Sequence, residues 1–318
     1  MIGRVGRRIR RALRRRFGVW PVLEARNKVV RLPGAVHAAV VERREVARLR
    51  RAVGPLKAHV VTVMPTLGRP ESLAVAVRSA LAQDVPDHLV VVVHDGPGLT
   101  GVPEDPRVVA VELSRHVGHS GLVRNVALAL VESEVAAFLD DDNSWRRDHL
   151  RLGLAALADA DVVYTALERV LPDGSLMDIL SVPFDRALMS ERSYVDTNAI
   201  VVRRDRGVRF SRIRRPRGVR PPVDWELVWR LSRRRRVVHV PEPTVRYLVN
   251  PGSYFSTWDP AGLRAARRAS GWDADEPLTA APLTGGTPQR EPLDDRPTDD
   301  RPTDDQPPTT VPIHQGEQ

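Results

Sequence analysis

The apolar run Val135-Ala136-Ala137-Phe138-Leu139 stops abruptly at Asp140-Asp141-Asp142-Asn143. A continuous apolar run of this length suits a strand of a parallel sheet that is covered on both faces. Three carboxylates at the end of such a strand repel one another unless a cation or a set of donors lies among them. Open α/β sheets take their ligands at the carboxyl ends of their strands. A divalent metal and a phosphorylated ligand are therefore expected at this point. The plainer alternative is a solvated acidic turn that caps the next helix through Asp142 or Asn143.

The neighbouring sequence alternates apolar strands with amphipathic helices, the pattern of an α/β domain. His59 to Met64 reads as the first strand and ends at Pro65-Thr66. Pro70 then sits near the start of a helix running to about Gln83, where its missing N–H costs little. Leu89 to Val93 reads as a second buried strand, ending at His94-Asp95-Gly96. A third strand, Val108 to Val111, leads through Gly118-His119-Ser120-Gly121 to a helix carrying Arg124 and Asn125. A lone Asp-Gly usually marks a turn. Acids at two separate strand ends, Asp95 and Asp140 to Asp142, shift the balance towards one shared crevice.

At 318 residues and 42% hydrophobic content the chain can bury a full core. It has no cysteine, which excludes disulfides and thiolate metal sites. No apolar stretch approaches the roughly 18–20 residues that cross a bilayer. The basic N-terminus lacks the apolar core of a cleaved signal, so a cytoplasmic protein, or one peripheral on the inner face of the membrane, is expected. Net charge is +9. Eight arginines fall between Arg4 and Arg16, before the first acid, Glu24. Ile2, Val5, Ile9, Leu13, Phe17 and Trp20 would line the opposite side of one helix. For residues 1–20 an anionic membrane surface is the expected partner. Nucleic acid is the rival and docking on the chain's own domain the plain alternative.

Three regions follow. Residues 1–57 form a basic, helical N-terminal extension, broken by Pro21 and by Pro33-Gly34, with a further short helix around Val46 to Arg51. Residues 58–271 form the α/β domain. Residues 272–318, with Asp-Asp-Arg-Pro-Thr at 294–298 and again at 299–303, form a tail expected to be disordered.

These residues resemble a known family. Val-Thr-Val-Met-Pro-Thr-Leu-Gly-Arg-Pro at 61–70 is similar to the opening strand of family 2 glycosyltransferases, which have the GT-A fold. His94-Asp95-Gly96 resembles their second strand end, and Val123-Arg124-Asn125 their Ala-Arg-Asn helix start. Phe138 to Trp145, followed by Asp148-His149-Leu150, is similar to their metal-binding Asp-x-Asp segment. Val223-Asp224-Trp225-Glu226-Leu227 resembles the helix that supplies their catalytic base. Order and spacing agree across roughly residues 60–250.

The resemblance implies a Rossmann-like, mostly parallel central sheet flanked by helices, and a metal-dependent, inverting transfer of a sugar from a nucleotide-diphosphate donor, a UDP-sugar by preference. The acceptor would be a hydroxyl of a glycan, a lipid-linked sugar or a small molecule. It implies that Pro65, Thr66 and Arg69 line the base pocket and that Asp95 accepts a hydrogen bond from a uracil-like base. Arg124 would support a phosphate or pair with an acidic neighbour. Asp140 and Asp141 would face the ribose and sugar. Asp142, with Asp140, would hold Mn²⁺ or Mg²⁺ on the diphosphate. Asp224 would take the proton from the acceptor. Hard cations prefer oxygen donors, and a positioned carboxylate is a competent general base. Two departures stand out: Val223 replaces an acid before the base, and Asn250 stands where a metal-binding histidine is often found.

Alternatives remain at several of these positions. Asp224 could be a helix N-terminal carboxylate favoured by the dipole. Trp225 and Trp229, four apart, read as core before acceptor platform. His94, His119 and His149 lack the spacing of a metal set. Arg212, Arg214, Arg215, Arg217 and Arg220 could bind an acidic or lipid-diphosphate acceptor or form a solvated loop. A non-catalytic, membrane-associated scaffold that keeps the nucleotide pocket is the second functional class. Loops 170–195 and 205–222 carry no readable motif, so donor sugar, acceptor and linkage stay open.

Overall fold

The structure, a computed structural model, describes residues 12–215 and 219–249. Ile2, Val5, Ile9, Arg217, Asn250 and the 272–318 tail lie outside the described residues. Nine strands form one sheet. They are β1 (Leu56–Thr66), β2 (His88–His94), β3 (Val108–Glu112), β4 (Val131–Phe138), β5 (Ser144–Trp145), β6 (Val162–Val170), β7 (Leu176–Leu180), β8 (Ile200–Arg203) and β9 (Val237–Leu248). The helices are α1 (Val19–Val30), α2 (Leu32–Val53), α3 (Pro70–Leu81), α4 (Ser120–Leu130), α5 (His149–Ala156), α6 (Arg186–Glu191) and α7 (Val223–Leu231). None of the described helices is long and apolar enough to cross a membrane.

The sheet order is β3-β2-β1-β4-β8-β6-β9-β5, with β7 beside β6. Strands β1 to β4 are mutually parallel. β8 reverses, β6 returns to the first direction and β9 follows it. β5 and β7 run the other way. Six of the nine strands thus share one direction, as the α/β class with a mostly parallel central sheet requires. In β1, Val60, Val61, Val63 and Met64 are fully buried. Both faces are covered there, which is why the strand is apolar at consecutive positions rather than alternate ones. Strand β6 is the pivot. One edge pairs β8 at Val162 to Tyr164 and then β7 from Leu167, while the other edge pairs β9 along its length. Pro243 lies where the β6–β9 register shifts, a place where a missing N–H breaks no ladder bond.

The N-terminal helices differ from expectation. Pro21 lies in the first turn of α1 and Pro33 in the first turn of α2, positions that tolerate proline, so neither breaks its helix. The segment around Val46 to Arg51 is the end of the long α2, not a separate short helix. The breaks fall at Gly18, with φ of 84°, and at Arg31. Trp20 consequently does not continue the stripe begun by the exposed Leu13 and Phe17. It is buried, edge-on to Trp225 at 5.5 Å. Of the expected membrane-facing residues, Trp20 belongs to the core.

Helix α2 packs on α4, and α4 packs on β1 and β2. Ala38, Val41 and Leu49 face inward from α2. So do Glu42 and Glu45, both buried. Glu45 is bonded by Ser114, beyond β3, and by Arg48 of α2 itself, whereas Glu42 and Glu24 find their partners in the loop that leads towards α7. The Arg212 guanidinium donates two bonds to Glu42, at 2.9 and 2.5 Å. Arg215 donates two to Glu24 of α1, at 2.7 and 3.0 Å. Asn27 donates to the Arg220 carbonyl at 3.0 Å. Two arginines of the basic loop are thus fixed in ion pairs, Arg215 sealed from solvent and Arg212 partly so.

Candidate functional site

Three adjacent parallel strands, β2, β1 and β4, end side by side. Beyond their last residues lie Asp95, the Thr66-to-Arg69 turn and Asp140 to Asp142. Pro65 is opposite Val93, past the last β1–β4 pair at Val63 and Phe138, so no sheet bond from its nitrogen is lost. The Thr66 hydroxyl donates to the Asp141 carboxylate at 2.7 Å, and the Leu67 N–H donates to the same oxygen at 3.2 Å. Arg69 bridges Asp141 at 3.4 Å and Asp142 at 2.5 Å. His94 locks the turn from β2: its Nδ1 donates to the Gly96 carbonyl at 2.7 Å, leaving Nε2 to accept from Gly68 N–H at 3.3 Å. Pro65, Thr66, Arg69 and the aspartates are therefore gathered as expected.

Asp95 is buried at the same rim. Its carboxylate accepts from the backbone N–H groups of Val117 at 2.7 Å and Gly118 at 2.9 Å. Those bonds hold the loop before α4 against the strand end. His119, a loop residue in the sequence reading, caps α4 by accepting from Leu122 N–H at 3.3 Å. Arg124 is buried on α4, ion-paired with Asp140 and stacked over Phe210 at 5.2 Å. Arg124 thus has Asp140 as its acidic neighbour.

The far wall of the crevice includes two residues with no sequence motif, Asp196 and Asn198. The Asp196 carboxylate accepts from the backbone and side chain of Asn198 at 2.8 and 2.6 Å. Asn198 in turn accepts from the Asp140 N–H at 2.6 Å. Its carbonyl also holds the Trp145 indole at 2.8 Å. This chain of bonds fixes Asp140 from behind. The one available signal was a polar trio, Asp196-Thr197-Asn198, set between apolar residues.

Asp224 lies in the first turn of α7, behind Pro222. Burial raises its proton affinity and Asp140 adds to it, while the Trp225 N–H and Arg124 oppose the shift. Burial likewise raises Asp142, again helped by Asp140 and opposed by Arg69. Asp196 is pushed up to about 7 by burial and then by Asp224 and Asp140. Asp140 thus raises both Asp142 and Asp224, and Arg124, its ion-pair partner, opposes the shift at Asp224. Trp225 is fully buried and stacks on the half-buried Trp229 at 5.3 Å, so this helix face is core. His149 is buried against Trp145, with ring centres 4.2 Å apart, and its Nδ1 lies 2.7 Å from the Thr244 hydroxyl.

Among the described residues no three acidic or imidazole groups already enclose a metal position. The donor chemistry nevertheless fits one. Three carboxylates crowd at one strand end, Asp142 is raised by burial and then by its acidic neighbours, and a half-exposed guanidinium, Arg69, supplies counter-charge. Oxygen donors and excess negative charge suit a hard divalent cation, with remaining ligands from phosphate and water.

The family model of Glycosyl transferase family 2 matches residues 61–178. No curated protein matches the chain. Among solved structures, S. aureus TarS 1-349 in complex with UDP-GlcNAc is similar at 17% identity and a TM-score of 0.48, over 66% of this chain and 65% of that one. A longer S. aureus TarS structure is similar at 18% identity and a TM-score of 0.46, over 69% of this chain and 40% of that one. The mannosyltransferase PcManGT from Pyrobaculum calidifontis, in complex with GDP-Man and Mn2+, is similar at 17% identity and a TM-score of 0.45, over 76% of this chain and 71% of that one. The chain thus spans a little under two thirds of the first of these relatives. Residues 61–178, which carry Thr66, Arg69, Asp95, Arg124 and the three aspartates, are thus the part of the chain that is similar to glycosyl transferase family 2.

Proposed function

We propose that this protein is a metal-dependent, inverting glycosyltransferase that moves a sugar from a nucleotide-diphosphate donor, a UDP-sugar, to an acceptor hydroxyl. The observation that carries this reading is the placement of Asp140. It is held by Asn198 and Arg124 and is close enough to both Asp142 and Asp224 to raise the proton affinity of each. Donor-side acids and a separate carboxylate thereby have a common neighbour.

The base end of the donor lies against Pro65, Thr66 and Arg69. Asp95 is at the same rim and keeps lone pairs beyond those that hold Val117 and Gly118. Asp141 positions the Thr66 turn, and Asp140 presents its carboxylate to the ribose and sugar. Asp142, with Asp140, would hold Mn²⁺ or Mg²⁺. Such a cation supplies Lewis-acid neutralisation of the charge that gathers on the departing phosphates. Arg69, half-exposed in its pairing with Asp142, would release that carboxylate to the cation and turn to the negatively charged donor.

Asp224 removes the proton of the acceptor hydroxyl. As the acceptor oxygen bonds to the anomeric carbon, the bond from that carbon to the diphosphate oxygen breaks, and the nucleoside diphosphate leaves with the electron pair. A single base acting on the acceptor's face gives inversion. Its raised proton affinity makes Asp224 a better proton acceptor than an ordinary surface aspartate, provided it is ionised.

A thermal-shift screen of nucleotide-sugars with and without Mn²⁺ tests this reading. One UDP-sugar should stabilise the protein in the presence of metal, and Asp142→Asn should abolish the metal-dependent part. A folded protein that responds to no donor would refute both the enzyme and the nucleotide-binding scaffold.

A further inference from the structure

The outward face of the N-terminal helices carries no acid. Glu24, Glu42 and Glu45 are the only carboxylates in residues 1–57. All three are buried, bonded to Arg215, to Arg212 and to Ser114. The outward residues are apolar or basic. Leu32, Val36 and Val40 recur every four residues on the side of α2 opposite Ala38, Val41 and Leu49, and they are 59%, 58% and 41% exposed. Val29 and Val30, 78% and 65% exposed, continue this ridge across the elbow at Arg31. Further along the same side of α2 are the exposed Arg43, Arg44 and Arg51, with Arg26 exposed on α1.

An apolar ridge edged by arginines matches the interface of an anionic bilayer. The valines and leucine would enter the acyl boundary while the guanidinium groups meet headgroup phosphates. The other anionic candidates match only half of it. The Asp-Asp-Arg-Pro-Thr repeats of the C-terminal segment and the backbone of a nucleic acid could pair the arginines. Neither supplies apolar groups to cover Val29, Val30, Leu32, Val36 and Val40.

We propose that the outer face of α1 and α2, residues 26–51, docks this protein on an anionic membrane surface. The inner faces of the same helices grip the 212–215 loop through Glu24 and Glu42. A docked helix pair therefore fixes that loop, and α7 beyond it, relative to the bilayer. Resting on the transferase reading above, this makes the acceptor a hydroxyl presented at the membrane surface. Docking itself does not depend on that reading.

Flotation of the full-length chain with phosphatidylcholine vesicles, with and without phosphatidylglycerol, tests it, no donor or acceptor being present. The chain should float only with the anionic vesicles, and less so as salt rises. Val36→Asp with Val40→Asp, and separately Arg43→Glu with Arg44→Glu, should each lower vesicle affinity about tenfold or more. Val36→Ser with Val40→Ser and Arg43→Gln with Arg44→Gln are milder pairs that keep the test open should the first ones fail to fold. Melting temperature should stay within a few degrees of the parent. Unchanged vesicle binding in folded variants of both kinds would overturn the proposal. So would absence of binding to anionic vesicles, or capture by RNA or DNA in their place. A negative result would leave the donor screen, and the transferase reading, untouched.

Discussion

Two of the places where carboxylates meet arginines in this molecule are built differently. At the strand ends, Arg69 and Asp142 keep 53% and 21% of their side-chain surface exposed. Beneath the N-terminal helices, Arg215 and Glu24 keep 6% and 5%. An exposed pair loses little when water or a ligand replaces one partner. A sealed pair has no substitute, because removing one member strands the other in a low-dielectric interior. The crevice is thus arranged to exchange its counter-charge, and the helix seam to keep it.

Four measurements can break or sharpen this contrast. The largest effect is expected at Asp224. Asp224→Asn should lower turnover by about 10²–10⁴-fold while the protein melts near its usual temperature. A parallel loss of stability would make Asp224 another structural acid. Next, Glu24→Ala should cost about 3–5 kcal/mol in denaturant unfolding, since Arg215 is left buried and unpaired. Replacing both residues by methionine should recover most of that cost. If the single variant is neutral, the seam is no more sealed than the crevice.

The third measurement concerns Asp196. In the folded protein its proton affinity is raised from the ordinary 3.8 to about 7. Between those values the native state binds more protons than the unfolded chain, so stability should fall as pH rises through 7. Asp196→Asn should remove that slope, worth at most about 1.4 kcal/mol per pH unit. An unchanged pH profile of melting would show that Asp196 is ionised throughout. The smallest effect on stability is expected for Arg69→Ala, below about 1 kcal/mol. Donor affinity should fall nonetheless, and a stability cost matching that of Glu24→Ala would remove the contrast.

Much of the sheet could be read from apolar runs, because strands buried on both faces leave an uninterrupted signature. Even so, β1 begins at Leu56, earlier than His59, and β4 begins at Val131, within the half-polar Val131-Glu132-Ser133-Glu134. Edge residues of a strand need backbone partners more than apolar side chains, so composition underestimates their extent. The aspartate cluster, Thr66, Arg69 and Asp224 were legible because they sit at element ends within short local patterns. Asp196 and Asn198 were not, since their significance comes from Asp140, more than fifty residues away in sequence. Glu24, Glu42 and Glu45 were equally hidden: a glutamate on an arginine-rich helix reads as a surface charge.

The order of amino acids alone determined the α/β class, the acids at the strand ends and the excess of arginine near the N-terminus. These are local properties: hydrophobic period, turn residues and net charge within a few neighbours. Tertiary packing alone decided which arginines are spent in buried pairs, which face outward, and that Asp140 acts on both Asp142 and Asp224. Those outcomes depend on which surfaces exclude water together, and segments far apart in the chain settle that only when they meet.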